Sequence, residues 1–403
     1  MKIVAFVGET FEEFNNEYHA KPTSAAFLQC SIGTENVYVA SSSRKSSGDN
    51  PVGISTTVLK DHFYPFPRYQ STKDFVVKCL LDRKFYSQYV DLSEQIIRQH
   101  DGEYFWIRTP SIGSIVFGLT ALKLNQKVLH HMCADASNTW KDSKYKGFNK
   151  FLAFCFSKVL RSKLKNICAH KNTINLCTGD ILESFSRKYS LKTYQFVDLM
   201  IKPPSVDSLI PAESLKKQGK LNLLFVGRVV EDKGVFDLIQ AISEQKSMVK
   251  ATFVGDGPDL EQARDLVKSK TLEHLINFTG QLPHIELNQL YADCDLVVIP
   301  SNNNYEGFPR VIMESWSYHK PVIISNVGGI NAFVQDNVNG FIVEPGNVAQ
   351  LSTLLANISA DNEMLNGLSE GVKEMSKLSS QEYWGQQLLT IINANSARGA
   401  YVS

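Results

Sequence analysis

Two glutamates, Glu306 and Glu314, bracket the run Glu306-Gly307-Phe308-Pro309-Arg310-Val311-Ile312-Met313-Glu314. Before it lie an apolar stretch, Leu296-Val297-Val298-Ile299, a Pro300-Ser301 turn and the polar Asn302-Asn303-Asn304. This order predicts a buried strand, a loop and a helix start, with Glu306 at the loop end and Glu314 more than a turn into the helix. One carboxylate can accept hydrogen bonds from sugar hydroxyls and the other from ribose hydroxyls. The free N–H groups of a helix start, near Arg310 and Val311, favour phosphates. In open α/β sheets ligands bind at such carboxyl ends of strands.

A second constellation supplies cations. Leu223-Leu224-Phe225-Val226 ends at Gly227-Arg228, and Glu231-Asp232-Lys233-Gly234 follows. Gly227 just past a strand lets backbone approach a ligand closely. Arg228 offers a planar fork and Lys233 a point charge, a pair suited to a diphosphate leaving group.

Elements to position these residues are legible along the chain. Short apolar runs alternate with helical patterns: strands are expected at Lys2–Val7, Val37–Ala40, Tyr104–Arg108, Lys127–His131 and Thr173–Cys177. A second set is expected at Asn222–Val226, Ala251–Val254, Ile276–Phe278, Leu296–Ile299 and Val322–Ile324. Helices at Leu92–Gln99, Ile112–Leu124, Val235–Ile242, Asp259–Lys268 and Pro309–Tyr318 complete two parallel-sheet halves. A chain of 403 residues fits two domains. Residues 1–200 form the expected first domain, 201–220 a proline- and lysine-rich linker and 221–380 the second domain. A final helix within 381–403 is expected to pack back on the first domain.

The net charge of +1 gives no overall attraction to nucleic acid. Seven scattered cysteines without a C-x-x-C pair argue for reduced thiols and a cytoplasmic location. Met1 leads straight into a strand pattern without a secretory leader, and the apolar run at Ile112–Leu124 is too short and interrupted to span a membrane.

The second half resembles the retaining GT-B glycosyltransferases of the E-x7-E group (group 1, family 4 type). The resemblance is carried by Phe225-Val226-Gly227-Arg228, Lys233-Gly234, Phe253-Val254-Gly255-Asp256-Gly257-Pro258 and Phe278-Thr279-Gly280. It continues through Tyr291-Ala292-Asp293-Cys294-Asp295, the Glu306–Glu314 run, Pro321-Val322, Gly328-Gly329 and Asn339-Gly340-Phe341-Ile342-Val343. It implies an α/β GT-B fold, two Rossmann-like domains facing across a central cleft. It also implies that Arg228 and Lys233 hold the donor diphosphate, Glu314 the ribose and Glu306 the transferred sugar. Gly227, Gly307, Phe308, Arg310 and Val311 complete the donor-binding set. A nucleotide diphosphate sugar would be the co-substrate, the anomeric configuration would be retained, and no metal or other cofactor would be required.

The first half is similar to acceptor domains of capsular and exopolysaccharide transferases, through Tyr104-Phe105-Trp106-Ile107-Arg108-Thr109-Pro110-Ser111-Ile112-Gly113, His131-Met132-Cys133-Ala134-Asp135 and Trp140. Asp135 is the candidate for orienting or deprotonating an acceptor hydroxyl, with His131 the alternative; Glu306 joins them as a catalytic candidate. The expected acceptor is a surface glycan or its lipid-linked precursor. Many relatives carry a Gly-Gly loop after the first strand; here Gly8 is followed by Glu9-Thr10-Phe11-Glu12-Glu13, an acidic loop ill-suited to phosphate.

Residues 141–171 hold nine Lys or Arg against one acid, interleaved with Phe148, Phe151, Leu152, Phe154 and Phe156. That composition suits either a core helix with a solvated basic edge or peripheral docking at the inner face of the cell membrane. Asp293-Cys294-Asp295 has metal-binding D-x-D spacing but falls where a helix ends and a strand begins, which favours capping. His130-His131 lack metal-ligand spacing. Three rival functions remain. The first is a sucrose- or trehalose-type synthase or phosphorylase acting on a soluble acceptor. The second is an NAD-dependent oxidoreductase, although Leu260 replaces the third glycine of its fingerprint. The third is an inactive nucleotide-sugar-binding protein.

Overall fold

The computed structural model describes the chain apart from residues 22, 47–55, 136–137, 142–144, 201–219, 247, 304–305, 362 and 400–403. The expected linker, 201–220, thus lies almost wholly outside the described residues. Two compact units emerge: residues 1–200 with 381–403, and residues 201–380.

In the N-terminal unit the strands are β1 (Ile3–Phe14), β2 (Glu17–Ala20), β3 (Val37–Lys45), β4 (Thr56–Leu59), β5 (Phe63–Phe66), β6 (Tyr104–Thr109), β7 (Lys127–Met132), β8 (Thr173–Cys177) and β9 (Thr193–Gln195). Seven of them pair in parallel in the order β5-β3-β1-β6-β7-β8-β9. The order reverses direction between β1 and β6. The sheet centre is Val, Ile, Phe and Trp, as a sheet covered on both faces requires. Helices Arg83–Gln99, Ile112–Lys123 and Gly147–Ala169 contribute to one core cluster with Phe6, Phe66, Phe75 and Tyr89. Edge-to-face pairs such as Phe6–Phe66, 5.0 Å between centroids, each add about 0.5–1.5 kcal/mol beyond area burial.

The sequence predicts that the first strand stops at Val7 and that an acidic loop follows Gly8. The structure corrects this: β1 runs on to Phe14 through a bulge between Phe6 and Thr10, where Gly8 takes φ +84°. Strand β2 returns antiparallel beside the extension. Charge does not break the strand because each acid finds a cross-strand partner. Glu12 opposes and ion-pairs Arg44, Glu13 opposes Lys45, and Phe11 is buried against Phe63.

The C-terminal unit holds β10 (Leu221–Val226), β11 (Val249–Val254), β12 (Ile276–Gly280), β13 (Leu296–Ile299), β14 (Val322–Ser325) and β15 (Phe341–Val343). All pair in parallel in the order β12-β11-β10-β13-β14-β15. The chain winds one way from β10 to β12 and the other way from β13 to β15. The switch point therefore lies between β10 and β13, where a doubly wound sheet opens a ligand crevice. The last helix, Gln381–Gly399, belongs to the N-terminal unit: Trp384 packs edge-on to Phe196, and Ser396 Oγ lies 2.8 Å from the Tyr104 hydroxyl.

Candidate functional site

The loops leaving β10 and β13 carry the candidate donor residues to the switch point. After β10, Gly227 donates its amide to Val254, Arg228 is exposed, and a single helical turn, Glu231–Lys233, delivers Lys233. After β13, Asn302 donates its amide to the Asp232 carbonyl at 3.1 Å, so the two loops are clasped by backbone. Lys233 Nζ meets Glu306 Oε2 at 2.6 Å, both side chains retaining partial exposure. The two opposite charges that sequence analysis assigned to one ligand are thus neighbours.

Asn303 holds the glutamate in place. Its amide nitrogen donates to Glu306 Oε2 at 2.8 Å and its carbonyl oxygen accepts the Glu306 backbone N–H at 2.8 Å. In the sequence Asn303 reads only as part of a polar loop; an Asn three residues ahead of an acid is a local signal of this arrangement. Gly307 accepts a hydrogen bond from the Gly329 amide, and Phe308 is buried edge-on to Phe333, 5.0 Å between centroids. Gly328 is the close approach here, since a Cβ on it would strike the Glu306 carbonyl.

The following helix spans Arg310–Ser317, with Pro309 at its N-cap and no side-chain cap. Arg310 and Val311 are partly exposed at its start. Glu314, a turn further on, accepts the Tyr291 hydroxyl at 2.8 Å. Tyr291 is fully buried and stacked on Tyr318, so burial first and the Glu314 charge second hold its pKa well above the usual phenol range. A neutral Tyr291 therefore donates to Glu314 at any ordinary pH.

In the N-terminal unit Asp135 lies just past β7 and accepts Asn138 Nδ2 at 2.6 Å. It borders a cavity of about 300 Å³ shared with Arg161, Leu164 and Asp180. His131 is fully buried, 5.1 Å from the Trp106 ring, with Nε2 on the Thr178 hydroxyl at 3.0 Å. Its Nδ1 is 3.9 Å from Asp198, a residue sequence analysis did not single out. Asp198 accepts Ser24 Oγ at 2.7 Å and lies 3.6 Å from Arg108 Nε, while Arg108 Nη1 reaches Glu9 at 3.2 Å. Cys133, then Asp198 and Glu9, raise the Arg108 pKa against the opposing effect of burial. These groups gather from β1, β6, β7 and the segment after β9 at the sheet's carboxyl edge.

His130, on the same strand, is also enclosed, between Asn175 at 3.0 Å and Thr109 at 2.9 Å. Burial pulls its pKa down to about 4. The unfolded chain binds a proton near pH 6.5 that the folded chain refuses, so stability falls as pH drops between these values. The expected loss is roughly 3 kcal/mol. Urea unfolding at stepped pH should show it, with a shallower slope for His130→Gln; equal slopes would place the acid sensitivity elsewhere.

Asp293-Cys294-Asp295 is structural. Cys294 closes helix His284–Asp293, and Asp295 Oδ2 accepts the Asn222 amide at 2.8 Å, tying β13 to β10. Among the described residues no cluster of three His, Cys, Asp or Glu side chains could hold a metal ion, and no helix is long and apolar enough to cross a membrane.

Residues 207–375 match the family model described as glycosyl transferases group 1. An uncharacterized glycosyltransferase of Methanocaldococcus jannaschii is 34% identical over 171 residues, 42% of this chain and 47% of that protein. The putative teichuronic acid biosynthesis glycosyltransferase TuaC of Bacillus subtilis is 38% identical over 109 residues, 27% of this chain and 25% of that protein. The matches thus span about half or less of these relatives. Among solved structures, Anabaena HepE in complex with UDP superposes with a TM-score of 0.67 at 16% identity, over 98% of this chain and 100% of that one. Sucrose-phosphate synthase from Thermosynechococcus elongatus gives 0.69 at 16% identity, over 99% and 100%.

Proposed function

We propose that this chain, GT-B in fold and carrying a glycosyl transferases group 1 domain, transfers a hexose from a nucleotide diphosphate sugar with retention of configuration. The observation that carries the reading is the Lys233–Glu306 pair at the switch point, with Glu314 one turn into the helix that follows. Lys233 and Arg228 neutralise the departing diphosphate, assisted by the helix start at Arg310 and Val311. Glu314 takes the ribose hydroxyls and Glu306 the sugar hydroxyls. Electrostatic stabilisation by these side chains and amides does the work without a metal. Solved structures of similar fold were determined with UDP and with UDP-glucose, which supports a donor of this class.

On the acceptor side Asp135 is the better placed of the two candidates, because it borders a cavity whereas His131 is enclosed. A surface glycan or its lipid-linked precursor is the acceptor we favour; the similarity to TuaC is in keeping with it.

Thermal unfolding against UDP, GDP, ADP and their sugars tests the donor site. A ligand at a hundred times its Kd stabilises the native state by about 2.7 kcal/mol. One nucleotide family should raise the midpoint, and Glu314→Ala should lose that shift. A shift with NAD alone would overturn the reading.

A further inference from the structure

Helix Gly147–Ala169 has two apolar faces where a surface helix needs one. Ser157, Leu160, Leu164, Ile167 and Cys168 are buried in the unit. On the opposite side Phe148, Phe151, Leu152, Cys155 and Val159 recur at spacings of three and four residues and are all exposed. Phe148 is 72% exposed and Phe151 59%, and contiguous exposed apolar residues, unlike scattered single ones, mark an interaction site. The first turns, through Leu152, are exposed on every side, so the helix end projects from the unit.

Charge decides what this face meets. Lys150, Lys158, Arg161, Lys163 and Lys165 lie on the same helix, which contains no acid, in a chain whose net charge is only +1. An outward apolar stripe flanked by cations alone matches an anionic bilayer, where the stripe enters the acyl boundary and the lysines stay among the headgroups. We propose that this helix docks the protein on an anionic membrane surface through Phe148, Phe151, Leu152 and Val159. Leu164, on the buried side of this helix, borders the cavity beside Asp135, so the outward stripe and that cavity lie on different sides of the helix. The docking does not rest on the proposed function.

Co-sedimentation with vesicles tests it: phosphatidylcholine alone, and phosphatidylcholine with a third phosphatidylglycerol. The protein should pellet with the anionic vesicles only and be released by high salt. Phe148→Ser/Phe151→Ser should lower partitioning by about tenfold or more with an unchanged unfolding midpoint. Lys158→Glu/Lys163→Glu should weaken binding without touching the stripe. Failure to pellet with anionic vesicles, or equal binding by the double serine variant, would overturn the proposal. So would a dimer by light scattering that dissociates in that variant, because the stripe would then be covered by a second copy.

Discussion

Lys233→Ala is expected to slow glycosyl transfer by about a hundred- to a thousandfold, the usual cost of removing one group that stabilises developing charge. Lys233 sits 2.6 Å from Glu306 and is carried on a turn whose backbone is clasped to the loop bearing Glu306. Without a donor the lysine neutralises the glutamate; with one bound, the same ammonium can face the diphosphate while Glu306 turns to the sugar. The substitution should therefore reduce kcat more than it raises KM. The unfolding midpoint should move little, because both groups keep some contact with water. Glu306 also keeps the Asn303 hydrogen bonds. The double variant Lys233→Ala/Glu306→Gln separates the roles: a structural pair would leave it both stable and active. Steady-state kinetics with the donor found by thermal shift would decide the matter. A fall below about tenfold would mean that the diphosphate is held elsewhere.

What the sequence showed plainly was whatever is written in consecutive residues. Leu296–Ile299 is a continuous apolar run, buried between parallel neighbours, and the strand has the bounds the run predicts. The two-unit α/β architecture followed from repetition of such runs. The three-residue strands β9 and β15 gave no signal, because so short a run has no measurable period. The extension of β1 was hidden for another reason: Glu12 and Glu13 look like loop residues until Arg44 and Lys45 are placed opposite them. The cluster around Asp198 was invisible on the same grounds. Its Ser24 partner is 174 residues away, and only the winding of the sheet joins them. Lys233 and Glu306 could be linked in sequence only through resemblance, since 73 residues separate them. Asn303 carries only a weak signal, its place three residues ahead of an acid, in a loop that offers other asparagines beside it.

Gly234→Ala should show that the site is held by backbone as much as by charge. Gly234 follows Lys233, opens helix Val235–Glu244 and takes φ +70°. A side chain in that conformation costs about 1–2 kcal/mol by itself. At this position a Cβ would also strike the Pro300 carbonyl, in the turn that ends β13 and leads to Asn303 and Glu306. The collision can be relieved only by parting the two loops, which would stretch the Asn302-to-Asp232 hydrogen bond and draw Lys233 away from Glu306. The expected result is a loss of about 3 kcal/mol or more in stability and of at least about tenfold in kcat. Gly346→Ala is the matched control: it also has φ +70°, but open space where the Cβ would go. It should lose only about 1 kcal/mol and no activity. If the two variants unfold alike, the Pro300 contact gives way freely and the spacing of Lys233 and Glu306 is set by their ion pair alone. If Gly234→Ala is both the less stable and the less active, the glycine after the lysine is what keeps the candidate site assembled before any donor arrives.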